Sequence, residues 1–115
     1  MKKNIYYIFA HQDDEFGVFI DIYNNLKKNN IYIFYLTNGS NQKIPKSKLS
    51  IRDRESIKVL KKIGVKEKNI FFLGREMNVK SNKLYLCIDE VYKKIIEKTK
   101  NIIPSKLITL SWEGG

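Results

Sequence analysis

The chain has 115 residues, which allows at most one domain, and 43% of them are hydrophobic, which excludes global disorder. Its formal net charge is +10, but the lysines are scattered in pairs with acidic residues between them, so no nucleic-acid partner is expected. One cysteine excludes an intrachain disulfide, and no apolar run reaches membrane-spanning length. These totals predict a cytoplasmic, soluble protein without stable membrane insertion.

Short apolar runs alternate with longer segments of helical periodicity along the chain. We predict strands at residues 5–9, 31–36, 70–73 and 107–110. Amphipathic helices are predicted between them, at residues 15–29, 51–63 and 84–100. The order β-α-β-α-β-α-β predicts a single α/β domain over residues 1–115, Rossmann-like, with a mostly parallel sheet.

The spacing of apolar residues also predicts which helix faces are buried. The apolar side of the first helix would consist of Phe16, Phe19, Ile20, Tyr23 and Leu26. For the second helix it would be Ile57, Leu60 and Ile63, with Gly64 as the stop signal. For the third it would be Ile88, Val91, Ile95 and Ile96.

His11, Thr37, Gly74 and Ser111 each follow the carboxyl end of a predicted strand. In parallel sheets ligands bind beyond these ends, so we expect the four positions to share one face.

The strongest chemical signal is His11, the only histidine, which lies just before a pair of aspartates. His11 and Asp14 are three positions apart and can point to the same side as the chain enters a helix. A histidine with a carboxylate suits zinc, and also iron or manganese, and Asp13 could then act as a general base on water. A solvated histidine beside an acidic first helical turn would give the same pattern.

The run A-H-Q-D-D-E at residues 10–15 resembles the A-H-P-D-D-E signature of the LmbE/PIG-L family, whose members are metal-dependent deacetylases of N-acetylglucosamine-type sugars. Weaker landmarks follow in the family's order. They are T-N-G at residues 37–39, R-D-R-E at 52–55 with I-G-V at 63–65, F-L-G at 72–74, and W-E-G-G at 112–115.

The resemblance implies that His11 and Asp14 are metal ligands and that Asp13 is the general base. It implies Zn²⁺ as the metal, with Fe²⁺ or Mn²⁺ as alternatives, and an acetylated amino sugar or glycoconjugate as substrate. Arg52 and Asn38 would bind that substrate. A solvated Arg52 paired with Glu55 or Asp53 is the alternative for the arginine.

Two departures from the family pattern affect this interpretation. Gln12 replaces the family proline, which we expect to loosen the turn without removing a ligand. The sequence stops at Gly115, where the family's second histidine motif, H-x-D-H, would begin and would supply the third ligand. We therefore expect an amino-terminal portion, truncated after the fourth strand and inactive alone, unless a second polypeptide or a homo-oligomer supplies the missing ligand.

Two other functions remain open. The first is a receiver-like or other ligand-binding α/β module with an acidic magnesium site. Receivers also place an acidic pair after the first strand, although here Gly74 rather than an aspartate ends the third strand. Nucleic-acid binding would rest on the net charge alone.

Overall fold

The computed structural model describes residues 2–12, 14–39, 51–80, 83–100 and 102–109. Within them the strands are β1 (Asn4–Phe9), β2 (Asn30–Tyr35), β3 (Ile70–Phe72) and β4 (Lys106–Thr109). The α-helices are α1 (Phe19–Leu26), α2 (Ile51–Ile63), α3 (Leu73–Met77) and α4 (Ile88–Lys98). Short 3-10 helices cover Asp14–Val18, Glu67–Asn69 and Leu84–Leu86.

The sheet has the order β3-β2-β1-β4, and its neighbouring strands are parallel. Successive residues of β1 alternate between two apolar clusters, as the pleat of a strand requires. Tyr7 and Phe9 pack with Ile22 of α1 and Leu60 of α2, whereas Tyr6 packs on the opposite face, where Ile95 of α4 covers it in part. The predicted Rossmann-like α/β fold is thus confirmed.

Strand order decides against the receiver-like alternative. Receiver domains have the flavodoxin-like order, in which β1 lies between β2 and β3. In this protein β1 lies between β2 and β4.

Aromatic pairs fix the register of β3 against β2. Phe34 pairs with Phe71 and Tyr35 with Phe72, and the rings of each pair stack with centroids 5.0 Å apart. Because adjacent residues of a strand point to opposite faces, one stacked pair lies on each side of the sheet. A one-residue slip would break both pairs, so these contacts specify the register.

The predicted faces of two helices were wrong in part. In the first helix, Ile20 and Tyr23 are 76% and 50% exposed, and Ile22 is the buried residue. In α4, Val91 is buried and Ile95 packs against the core, but Ile88 and Ile96 are about half exposed. Each helix covers the sheet along a narrower stripe than its apolar residues would allow. The stretch predicted as one helix at 15–29 is a 3-10 turn followed by the eight-residue α1.

Helix α2 agrees with its prediction. Leu60 is fully buried, Ile57 and Ile63 pack against the same cluster, and the helix spans the predicted residues. Gly64 follows it with φ +115°, in the left-handed region that glycine adopts at helix ends.

Tyr7 should make stability depend on alkaline pH. Its buried hydroxyl donates to Asp21 Oδ2 at 2.5 Å and accepts from Asn25 Nδ2 at 2.9 Å. Burial, and then the hydrogen bond to Asp21, raises the pKa of Tyr7 above its ordinary value of 10.0. The folded protein therefore keeps a proton that the unfolded chain loses above about pH 10, and the free energy of unfolding falls as pH rises.

Urea denaturation of the native protein and of Tyr7→Phe between about pH 9 and pH 11 would measure this contribution. The decline should be shallower in Tyr7→Phe, because phenylalanine has no hydroxyl proton to lose and all other groups are common to both proteins. Equal slopes would contradict the assignment to Tyr7.

Candidate functional site

Hydrogen bonds tie together the segments that follow β1, β2 and β3. Both the backbone nitrogen and Oγ1 of Thr37 donate to the carbonyl of Ala10, at 2.8 and 2.7 Å. The Asn38 nitrogen donates to the carbonyl of Val79, whose own nitrogen donates to the carbonyl of Gly74. The segments that follow three neighbouring strands therefore lie side by side, as predicted for His11, Thr37 and Gly74. Ser111, the fourth predicted position, lies outside the described residues.

Gly39 closes the turn after β2. Its φ of +75° lies in the left-handed region, and a Cβ at this position would lie 2.8 Å from Arg52 Nη1 and would overlap Gln12 Oε1. Arg52 Nη1 donates to the Gly39 carbonyl at 2.6 Å. Glycine is thus favoured here by the backbone conformation, and a larger residue would also have to displace the ends of the Gln12 and Arg52 side chains.

His11 lies two residues beyond the end of β1 and is half-buried. Its Nδ1 lies 3.0 Å from the carbonyl oxygen of Gln12. Since a carbonyl oxygen can only accept, Nδ1 is the donor of this hydrogen bond. Histidines that bind metals are typically held in this way, with the second ring nitrogen donating to a carbonyl or carboxylate.

Gln12 is buried to 1% exposure, and its Nε2 donates to Oδ1 of Asp53, which is equally buried. Arg75 Nε lies 3.4 Å from the other oxygen of the same carboxylate. Arg52 Nη2 donates to the backbone carbonyl of Gln12 at 3.3 Å. The expectation that Gln12 loosens the turn is therefore wrong, because its side chain anchors the turn to α2.

Glu15 makes a second connection between the same turn and the core. Its carboxylate is 1% exposed and accepts hydrogen bonds from the Tyr35 hydroxyl at 3.0 Å and from Ser56 Oγ at 2.9 Å. These bonds satisfy a buried charge and link the 3-10 helix after β1 to both β2 and α2.

A comparison with protein families identifies the chain. The model of the PIG-L family, described as GlcNAc-PI de-N-acetylase, matches residues 6–115. The chain belongs to the PIG-L family. The family suggests hydrolase activity of the GlcNAc-deacetylase kind and an acetylated sugar substrate, and its members are typically metal-dependent. No curated protein and no solved structure matches the chain.

The structure describes some of the residues predicted for a PIG-L site and not others. His11 and Arg52 both donate to the Gln12 carbonyl. Asn38 is 1% exposed in the turn after β2. Asp13 lies outside the described residues, and of Asp14 the description covers the backbone, which begins the 3-10 helix after β1.

Within the described part of this PIG-L chain, no group of three His, Cys, Asp or Glu side chains could hold a metal ion. The one predicted ligand whose side chain is described is His11, and its Nδ1 faces the Gln12 carbonyl. In the same residues, no helix combines the length and apolar character required to span a bilayer.

Sequence reasoning missed the roles of Asp53 and Ser56. Both are buried and lie in line with Leu60, at the three- and four-residue spacing of one helix face. Polar residues on the apolar face of α2 were the available signal. Their partners, Gln12 and Glu15, are each 41 positions away and became evident only from the packing of α2.

Proposed function

We propose that this PIG-L chain carries part of the active site of a zinc-dependent N-deacetylase, which removes the acetyl group of an amino sugar or glycoconjugate. The observation that supports the proposal best is the His11 ring, whose Nδ1 faces the Gln12 carbonyl beyond the end of β1. This arrangement directs Nε2 to the role of a ligand.

His11 and Asp14 would hold the cation, for which Fe²⁺ and Mn²⁺ are alternatives to Zn²⁺. When bound, the cation would supply Lewis acidity, which polarises an amide carbonyl and makes water easier to deprotonate. Two protein ligands hold zinc weakly, so a further ligand from outside residues 1–115 is part of the proposal.

Asp13 would accept a proton from water as the water oxygen attacks the acetyl carbonyl. The bond between the carbonyl carbon and the sugar nitrogen then breaks, and the nitrogen takes up a proton. The products are acetate and a free amine.

Arg52 and Asn38 would orient the sugar. Arg52 lies beside the turn that holds His11, because its guanidinium donates to the carbonyls of Gly39 and Gln12. Asn38 is buried, so its contact with a substrate would require the turn after β2 to open.

The test uses protein expressed from its whole reading frame and follows the assigned ring signals of His11. Zn²⁺ should shift the nuclear magnetic resonance signals of the His11 ring, and the protein should release acetate and free amine in equal amounts from an N-acetylglucosaminyl glycoconjugate. Mg²⁺, which prefers oxygen ligands, should leave the ring signals unchanged. Failure of Zn²⁺ to perturb the ring, together with no acetate release, would refute the proposal.

A further inference from the structure

We infer that Gln12 and Asp53 act as a pair of positioning residues that fix the tautomer and orientation of the His11 imidazole. The inference rests on the proposed function, in which His11 is a metal ligand. Neither Gln12 nor Asp53 would touch the metal or the substrate.

Gln12 connects the imidazole to α2 through its backbone carbonyl and its side-chain amide. Its backbone carbonyl accepts hydrogen bonds from His11 Nδ1 at 3.0 Å and from Arg52 Nη2 at 3.3 Å. Its side-chain Nε2 donates to Asp53 Oδ1. A rotation of the Gln12 peptide would therefore break contacts on both sides of the residue.

Asp53 also contacts a second partner, on α3. Arg75, on α3, places its Nε 3.4 Å from Asp53 Oδ2, and the arginine side chain is 17% exposed. The carboxylate is thus shared between Gln12, in the turn after β1, and Arg75, on α3. Because the pair is buried, its hydrogen bond is stronger than one in water and its loss leaves a carboxylate poorly compensated.

The physical requirement follows from the backbone of the turn. The Gln12 carbonyl turns with the ψ angle of Gln12, so it needs a restraint to stay directed at His11 Nδ1. The buried hydrogen bond to Asp53 supplies that restraint. Groups that hydrogen-bond a metal ligand commonly change metal affinity by about 10- to 100-fold. The Gln12 carbonyl is such a group for His11, and the side-chain bond to Asp53 acts through it.

Gln12→Leu tests the inference, because leucine keeps the bulk and removes the hydrogen bond. The native protein should show the Nδ1–H tautomer in the ¹⁵N chemical shifts of His11, and the variant should show a mixture of tautomers. Its Zn²⁺ affinity, measured by titrating the His11 ring signals, should fall about tenfold. Glu67→Gln, which breaks the exposed Lys61–Glu67 ion pair at the far end of α2, is the matched control and should change neither readout.

A double variant that exchanges the two side-chain types keeps the inference testable if Gln12→Leu does not fold. In Gln12→Glu with Asp53→Asn, the carboxylate and the amide exchange places, so a hydrogen bond can form again. Recovery of the Nδ1–H tautomer in this folded double variant supports the inference. A native tautomer and native affinity in folded Gln12→Leu, or a released ring in the folded double variant, would overturn it.

The two proposals can fail separately. If the native protein binds no Zn²⁺, the proposed function fails. The tautomer of His11 in metal-free Gln12→Leu still decides whether Gln12 positions the ring.

Discussion

Replacing Gly74 by alanine is expected to lower the free energy of unfolding by about 3 kcal/mol or more, or to prevent folding. Gly74 is buried in α3, directly after β3, and a Cβ there would lie 2.5 Å from the backbone nitrogen of Thr37 and closer still to its Cα and carbonyl carbon. These are backbone atoms, which cannot move aside as a flexible side chain can. The ends of β2 and β3 would have to separate.

Urea denaturation followed by circular dichroism would measure the loss. Gly17→Ala is the matched control, because Gly17 is exposed and its φ is not positive. The control should change the free energy of unfolding by less than about 1 kcal/mol. If Gly74→Ala were as mild as the control, the close approach of the two turns would be wrong.

This contact gives a physical reason for two of the sequence landmarks. The T-N-G run after β2 and the F-L-G run after β3 were recognised separately, as parts of a resemblance. In the structure the glycine of the second lies directly against the backbone of the threonine of the first. A small residue after β3 is thus what lets Thr37 reach the Ala10 carbonyl and Asn38 reach the Val79 carbonyl.

The element order was predictable because each strand is a short apolar run and each helix has its own periodicity. The buried side of α1 and α4 was less predictable. Periodicity shows that a helix has an apolar side, but the part that is covered depends on its neighbours. Ile88 and Ile96 lie to one side of the stripe that Val91 and Ile95 form on α4, so they stay half exposed while Val91 is buried.

The candidate site, like the fold, was predictable only in part. The run at residues 10–15 could be recognised because its residues are contiguous and their types suit metal chemistry. The pairing of Gln12 with Asp53 could not be predicted, since it joins positions 41 residues apart through the packing of α2. Gln12 was predicted to loosen the turn because the replacement of proline, considered alone, does not show that the glutamine side chain contacts Asp53.

Neutralising Asp13 and Asp14 in separate variants should distinguish the two functions of the proposed site, which are proton acceptance and metal binding. Asp13→Asn removes the proton acceptor and keeps the size of the side chain, so acetate release should fall by at least about 100-fold. The Zn²⁺ affinity seen at the His11 ring should remain. Asp14→Asn removes a charged ligand, so Zn²⁺ affinity and acetate release should fall together.

The crossed design matters because the two carboxylates are adjacent, and a general loss of negative charge would weaken cation binding in both variants alike. Both variants change the charge equally, so a difference in Zn²⁺ affinity between them must come from ligation. The assay uses protein expressed from its whole reading frame, with the His11 ring signals as the binding readout. Loss of Zn²⁺ binding in Asp13→Asn with retention in Asp14→Asn would exchange the two roles. Full activity in Asp13→Asn would remove Asp13 from the reaction and leave the general base to be sought elsewhere on the face beyond β1, β2 and β3.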